Sequence, residues 1–187
     1  HYIGVESVSD PLWNTNYELI YSHPELQIPW YPVLGNHEYQ GNTQAVIDYT
    51  HVSRRWCMRN RYYSNSFELG EGGSLLLVHI DTPSLIDKYR QDSIDYPDTV
   101  KQDLEMQLDW IDKTLKQSSD TWKIVVGHHP IYAETSKSES ERTDLQQRLD
   151  PILRKYAVDF YICGHIHNFQ HIKVAGSDVN YVVNTSA

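Results

Sequence analysis

Three segments of this sequence end an apolar run in glycine and place histidine within the next two residues. Trp30-Tyr31-Pro32-Val33-Leu34 leads into Gly35-Asn36-His37-Glu38, and Lys123-Ile124-Val125-Val126 leads into Gly127-His128-His129-Pro130. Val158-Asp159-Phe160-Tyr161-Ile162-Cys163 leads into Gly164-His165-Ile166-His167-Asn168. A short β-type run that stops at glycine reads as a buried strand turning sharply into a loop. Ligands of open α/β sheets gather outside the carboxyl ends of the strands. Three such ends bring Asn36, His37, His128, His165 and His167 around one crevice. Imidazole nitrogen and amide oxygen are metal ligands of intermediate hardness, so the chemistry this set supports is metal-centred hydrolysis.

The His165-x-His167 pair is the most pointed element. Alternating residues just past a strand reach different sides of a two-metal centre, and two metals about 3.5–4 Å apart clamp the attacking and leaving oxygens of a phosphoryl displacement. Asn36 offers a neutral carbonyl oxygen. His37 projects differently and suits charge stabilisation or proton donation to a leaving alkoxide better than ligation. Glu38 either orients a neighbouring group or lies on the surface. His129 is expected to face away from His128 and pack. His171 reads as packing or surface, as do His23, His51 and His79. Other chemistries lack their residues: there is no Gly-x-Ser-x-Gly elbow, no glycine-rich phosphate loop, and no zinc-knuckle spacing at Cys57 and Cys163.

The elements that must position these residues alternate between helix and strand. Asp10-Pro11 opens a helix through Trp13, Tyr17 and Ile20, with Pro at its first position. A strand ending at Leu34 follows, then a helix from about Thr43 to Arg54. Tyr62 to Leu69 and Ser74 to Ile80, separated by Gly70-Glu71-Gly72-Gly73, read as a β-hairpin. Ser84 to Asp98 is a polar loop. Thr99-x-x-Gln102 matches a capping box and opens a helix with Leu104, Leu108, Ile111 and Leu115 on one stripe. Thr143-x-x-Gln146 is a second match, leading Leu145, Leu149, Ile152 and Leu153. Pro151 either kinks that helix or starts a new one capped by Asp150. Phe169 to Val174 and Tyr181 to Val183 form a terminal hairpin. The fold class expected is α/β with added β-hairpins.

At 187 residues, one domain with a substantial core is the natural expectation. A formal charge of −9 argues against nucleic acid as a partner, because backbone contacts need Lys and Arg. It leaves an anionic substrate open, since a bound metal inverts the local field. No apolar stretch is long enough to span a bilayer. Of the two cysteines, Cys163 reads as a small core hydrophobe rather than as a disulfide partner of Cys57.

Gly35-Asn36-His37-Glu38, Gly127-His128-His129-Pro130 and Gly164-His165-Ile166-His167-Asn168 resemble the last three motifs of the calcineurin-like metallophosphoesterases. Gly4-Val5, Ser7-Val8, Asp10-Pro11, Pro29-Trp30-Tyr31, Ser53-Arg54-Arg55-Trp56 and Tyr161-Ile162-Cys163-Gly164-His165 are similar to the tartrate-resistant, purple acid phosphatase group. The resemblance runs over nearly the whole chain. It implies a single phosphoesterase domain over 1–187 in a four-layer α/β/β/α sandwich, mixed sheets flanked by helices. The first strands and the two leading aspartate motifs are expected upstream of His1. It implies two metal ions, divalent or trivalent (iron, zinc or manganese). Asn36, His128 and His165 would hold one and His167 the other, with His37 contacting the phosphate beside Asn36 and assisting the leaving group. The nucleophile implied is a metal-bound hydroxide acting on a small phosphorylated monoester. A phosphodiesterase or nucleotide phosphatase of the same superfamily, or an inactive binding module, is the alternative.

Two departures stand out. His1 occupies the place of the group's iron-binding tyrosine, which makes it a candidate ligand and removes the phenolate that colours those enzymes. The Ala133 to Arg142 loop carries no histidine, where relatives often place a substrate-contacting one. Relatives of this kind are mostly secreted or periplasmic, which is the location the resemblance implies.

Overall fold

The computed structural model describes residues 3–184. Its centre is a six-stranded mixed sheet in the order β1-β2-β3-β4-β6-β5. The strands are β1 (Tyr63–Glu68), β2 (Ser74–His79), β3 (Trp122–Val126), β4 (Phe160–Cys163), β5 (Phe169–Lys173) and β6 (Asn180–Asn184). β2, β3, β4 and β6 run parallel, and β1 and β5 pair antiparallel at the two edges. Both expected hairpins are thus present, one at each edge. Five α-helices accompany the sheet: α1 (Thr43–Asp48), α2 (Asp87–Arg90), α3 (Leu104–Gln117), α4 (Glu139–Arg148) and α5 (Asp150–Lys155). This mixed α/β arrangement is the class expected, and the described residues contribute one sheet to it.

Alternation along the strands divides the sheet into two faces. Leu76, Val78, Val125, Tyr161, Tyr181 and Val183 are buried on one face. They share a core with Ile111 and Leu115 of α3, Leu145 of α4, Leu149, and Leu153 of α5. Leu75, Leu77, Ile124, Val126, Ile162 and Val182 alternate with that row and are half-buried. A second, aromatic core lies under the segments before the sheet. It gathers Trp13, Tyr17, Leu34, Tyr39, Tyr49, Met58 and Tyr63, with Trp13 stacked on Tyr49 at 3.6 Å between ring centres. This cluster buries Leu34 and Tyr39, which clamps the intervening Gly35-Asn36-His37 loop from both ends.

Several expectations are corrected. Trp30 to Leu34 does not form a strand: it makes one isolated bridge, Trp30 to Trp56, because Pro29 and Pro32 cannot donate to a ladder. The helix from Thr43 stops at Asp48, continued only by a 3-10 turn at Tyr49–His51. The first helical stretch is short and continues as a π-helical segment, Asn14–Glu18, leaving Ile20 exposed. The Ser84 to Asp98 loop contains α2.

Neither capping box caps. Thr99 is buried, with its hydroxyl on the Tyr89 and Tyr96 carbonyls, and the Asp103 carboxylate caps α3 by accepting from Met106 N–H. α4 begins at Glu139, so Thr143 lies inside it with its hydroxyl on the Glu139 carbonyl. Pro151 does start a separate helix, yet Asp150 spends its carboxylate on Tyr132, Arg154 and Tyr181 instead of the helix end.

Candidate metal centre

β3 and β4 are adjacent parallel strands, so the loops leaving their carboxyl ends lie side by side. Two backbone hydrogen bonds fix those loops: Gly127 N–H donates to the Ile162 carbonyl, and Gly164 N–H to the His128 carbonyl, both at 3.0 Å. The end of β2 adds a third tie, for Thr82 Oγ1 accepts from the N–H groups of both His128 and His129. Gly127 is required here, because a Cβ would meet the Tyr161 hydroxyl at 2.6 Å and Thr82 Cγ2 at 2.7 Å. In the turn after β4, Ile166 N–H donates to the Gly164 carbonyl and Asn168 N–H to that of Ile166, each at 2.8 Å. His165 and His167 are therefore central residues of successive γ-turns. His165 adopts φ 66°, a left-handed conformation that costs a non-glycine residue on the order of 1 kcal/mol or more.

That strained turn aims the His165 ring at His128. His128 Nε2 lies 3.2 Å from His165 Nδ1 and 3.1 Å from Asn36 Oδ1. Three candidate ligand atoms from three loops thus lie together, two from imidazole and one from a buried amide, with His128 Nε2 within 3.2 Å of the other two. Burial, and then the neighbouring His165, push the His128 pKa down to about 4, so its ring is neutral and able to ligate. The donors fit a borderline divalent cation such as zinc or ferrous iron.

The remaining candidates are placed differently. His129 is fully buried, with Nδ1 2.9 Å from Thr82 Oγ1 and Nε2 3.0 Å from the Tyr89 hydroxyl. Its ligating atoms lie within 4.8 Å of those of His128 and His165, yet both nitrogens are engaged, so it packs as the sequence suggested. His37 sits beside Asn36, half-buried, with Nδ1 3.0 Å from Gln40 Oε1. Glu38 turns inward, where its carboxylate accepts from Gly35 N–H at 2.9 Å. His167 is exposed one turn beyond the three-atom cluster. His1 lies outside the described residues. Cys57 and Cys163 are both free, and Cys163 is buried in the core. Among the described residues no helix is long and apolar enough to cross a membrane.

Sequence reasoning missed Glu141. This α4 residue is 1% exposed and sits on the far side of the His165 ring, with Oε2 3.1 Å from Nε2. Burial raises its pKa, but contacts with His165, Lys88, His129 and Ser138 outweigh that and hold it well below the usual carboxylate range. A signal existed: Leu145 and Leu149 mark the buried stripe of α4, and one turn back along that stripe falls on Glu141.

Comparison with known proteins agrees with this geometry. Residues 7–169 match the calcineurin-like phosphoesterase family. Over 178 residues the chain is 32% identical to tartrate-resistant acid phosphatase type 5 of Oryctolagus cuniculus, covering 92% of this chain and 54% of that protein. It is 34% identical to purple acid phosphatase 4 of Arabidopsis thaliana over 188 residues, covering 96% and 53% respectively. The chain spans about half the length of the curated relatives it matches. Among solved structures, GAP50 of Plasmodium, described as the anchor in the inner membrane complex, superimposes with a TM-score of 0.78 at 24% identity, over 97% of this chain and 57% of that one. A dimetal phosphatase from Danio rerio gives a TM-score of 0.56 at 17% identity, over 82% and 59%. These two show the shared fold. Family match, fold and histidine cluster agree: the chain belongs to the calcineurin-like phosphoesterases.

Proposed function

We propose that this protein hydrolyses phosphoric monoesters on small substrates at a two-metal centre, in the manner of the acid phosphatases it resembles. The observation that carries this reading is the meeting of Asn36 Oδ1 with His128 Nε2 and His165 Nδ1 from the ends of β3 and β4. Those three atoms would hold one metal. His167, two residues from His165 on the same turn, is the candidate for the second, as is His1. Metal ions at such a centre polarise phosphoryl oxygens and make water a nucleophile near neutral pH.

The chain's own residues then have separable tasks. Asn36 supplies a neutral oxygen, which preserves the positive field that an anionic phosphate needs. His37 follows it on the same loop and is positioned to contact the phosphate and protonate the leaving alkoxide. Thr82, His129 and Tyr89 hold the His128 loop and exclude water from behind it. A location outside the cytosol, secreted or periplasmic, belongs to the same proposal.

The test is turnover of p-nitrophenyl phosphate against the bis-substituted diester after reconstitution with zinc, manganese or iron. Faster monoester turnover that His128→Asn abolishes is the expected result. Preference for the diester, or equal turnover in His128→Asn, would overturn it.

A further inference from the structure

Glu141 is a buried carboxylate on a helix whose other members, Leu145 apart, are polar and exposed or half-buried. Its Oε1 accepts from Lys88 Nζ at 2.7 Å and from the Tyr89 hydroxyl at 2.9 Å. Its Oε2 stands 3.1 Å from His165 Nε2, at ion-pair distance, and Ser138 contacts the same carboxylate. Ser138, held at φ 58° just before α4, places its Oγ 3.4 Å from the same Nε2. On the opposite edge of the ring, Nδ1 lies 3.2 Å from His128 Nε2, which is itself 3.1 Å from Asn36 Oδ1.

One chain of side-chain donors in this neighbourhood, from Thr82 through His129 and Tyr89, runs toward Glu141. Because the Tyr89 hydroxyl proton goes to Glu141, the Tyr89 oxygen is left to accept from His129 Nε2–H. His129 Nδ1 then accepts the Thr82 hydroxyl proton. The network has one consistent direction, with an acceptor-only carboxylate at its end. A neutral imidazole carries a single proton, and a carboxylate facing one nitrogen stabilises the tautomer that bears it there. The other nitrogen is left with a lone pair.

We propose that Glu141 is a positioning residue for the metal centre: it fixes His165 as the Nε2–H tautomer and orients the ring so that Nδ1 presents its lone pair to the point shared with His128 and Asn36. This rests on the reading of that point as a metal site. Carboxylate partners of this kind raise the basicity of a ligating histidine, and their loss weakens metal binding by about 10–100-fold.

The experiment is 15N NMR of 15N-histidine-labelled, metal-free protein near pH 7.5, with His165 assigned by comparison with His165→Asn. His165 Nε2 is expected at a protonated, pyrrole-like shift and Nδ1 at a pyridine-like one. Protonated Nδ1 in the unmodified protein would overturn the proposal whatever any variant does. Glu141→Gln is expected to shift His165 toward the Nδ1–H form and to weaken zinc binding by about 10–100-fold, read by competition with a chelating dye. Lys88→Met, which removes only the half-exposed partner of Oε1, should keep the tautomer and bind zinc within about threefold of the unmodified protein. Unchanged tautomer and zinc affinity in folded Glu141→Gln would also overturn the proposal. Should Glu141→Gln not fold, the tautomer in the unmodified protein decides. Failure of the unmodified protein to bind zinc would refute the metal-site reading instead, and the tautomer measurement tells the two failures apart.

Discussion

Gly35 and His128 are packed so closely that the glycine has no room for a side chain. A Cβ at position 35 would lie 2.8 Å from His128 Nδ1 and 2.9 Å from Cε1, with Glu38 Oε2 3.0 Å away. The glycine is thus part of the wall that sets the His128 ring, 93 positions further along the chain. Gly35→Ala is expected to push that ring off the point shared by Asn36 Oδ1 and His165 Nδ1. We expect zinc affinity to fall at least tenfold and stability to fall by about 1–3 kcal/mol, the usual effect of overpacking. Titration with zinc and denaturant unfolding measure both; wild-type affinity in the variant would show that the ring position is set elsewhere.

Substitution of His37 tests whether catalysis and ligation are separate tasks at this site. Its imidazole lies outside the three-atom cluster, on the loop that carries Asn36. His37→Ala should lower kcat by about 10²–10⁴-fold while metal content stays unchanged, as expected for a positioned proton donor. Loss of metal in the variant would make His37 a ligand.

The α/β class of the fold was legible in the sequence, and so was the meeting of His128 and His165 at adjacent strand ends. Glycine after an apolar run marked the carboxyl ends of β3 and β4, and parallel neighbours place those ends together, so His128 and His165 could be paired from sequence alone. Asn36 was found for a less general reason. Its segment looks like a strand, yet prolines limit it to one bridge, and the aromatic core around Leu34 and Tyr39 does the positioning. Helix starts were misread where a side chain had a stronger partner: Thr99 and Asp150 match capping patterns, but long-range hydrogen bonds claim them. Glu141 escaped notice because α4 has a nearly polar sequence, in which a buried carboxylate looks like any surface glutamate.

Asp150 joins α5 to the sheet. Its carboxylate, nearly buried, takes the Arg154 guanidinium at 2.6 Å and the hydroxyls of Tyr132 and Tyr181. Asp150→Ala would strand those donors, and we expect a stability loss of about 2–4 kcal/mol. Denaturant unfolding checks this, and a loss below about 1 kcal/mol would mean that water replaces the carboxylate.

His79 makes stability depend on acid. The ring is buried and stacks on Tyr63 at 4.4 Å between centres. Burial pushes its pKa down to about 4, against a backbone contact at Tyr63 that raises it. The unfolded chain titrates near 6.5, so stability from this group is complete above that pH and is lost as pH falls from about 6.5 toward 4. Between pH 7 and 4.5 the protein should lose about 2 kcal/mol more than His79→Phe does. Parallel pH profiles of the two would show that His79 is not the titrating group.

Crystals soaked in manganese or zinc and measured at the metal's absorption edge test the centre itself. One anomalous peak is expected about 2.0–2.3 Å from each of Asn36 Oδ1, His128 Nε2 and His165 Nδ1. At saturating metal, a peak coordinated by other residues, or none near these three atoms, would contradict the assignment of this cluster as the metal centre.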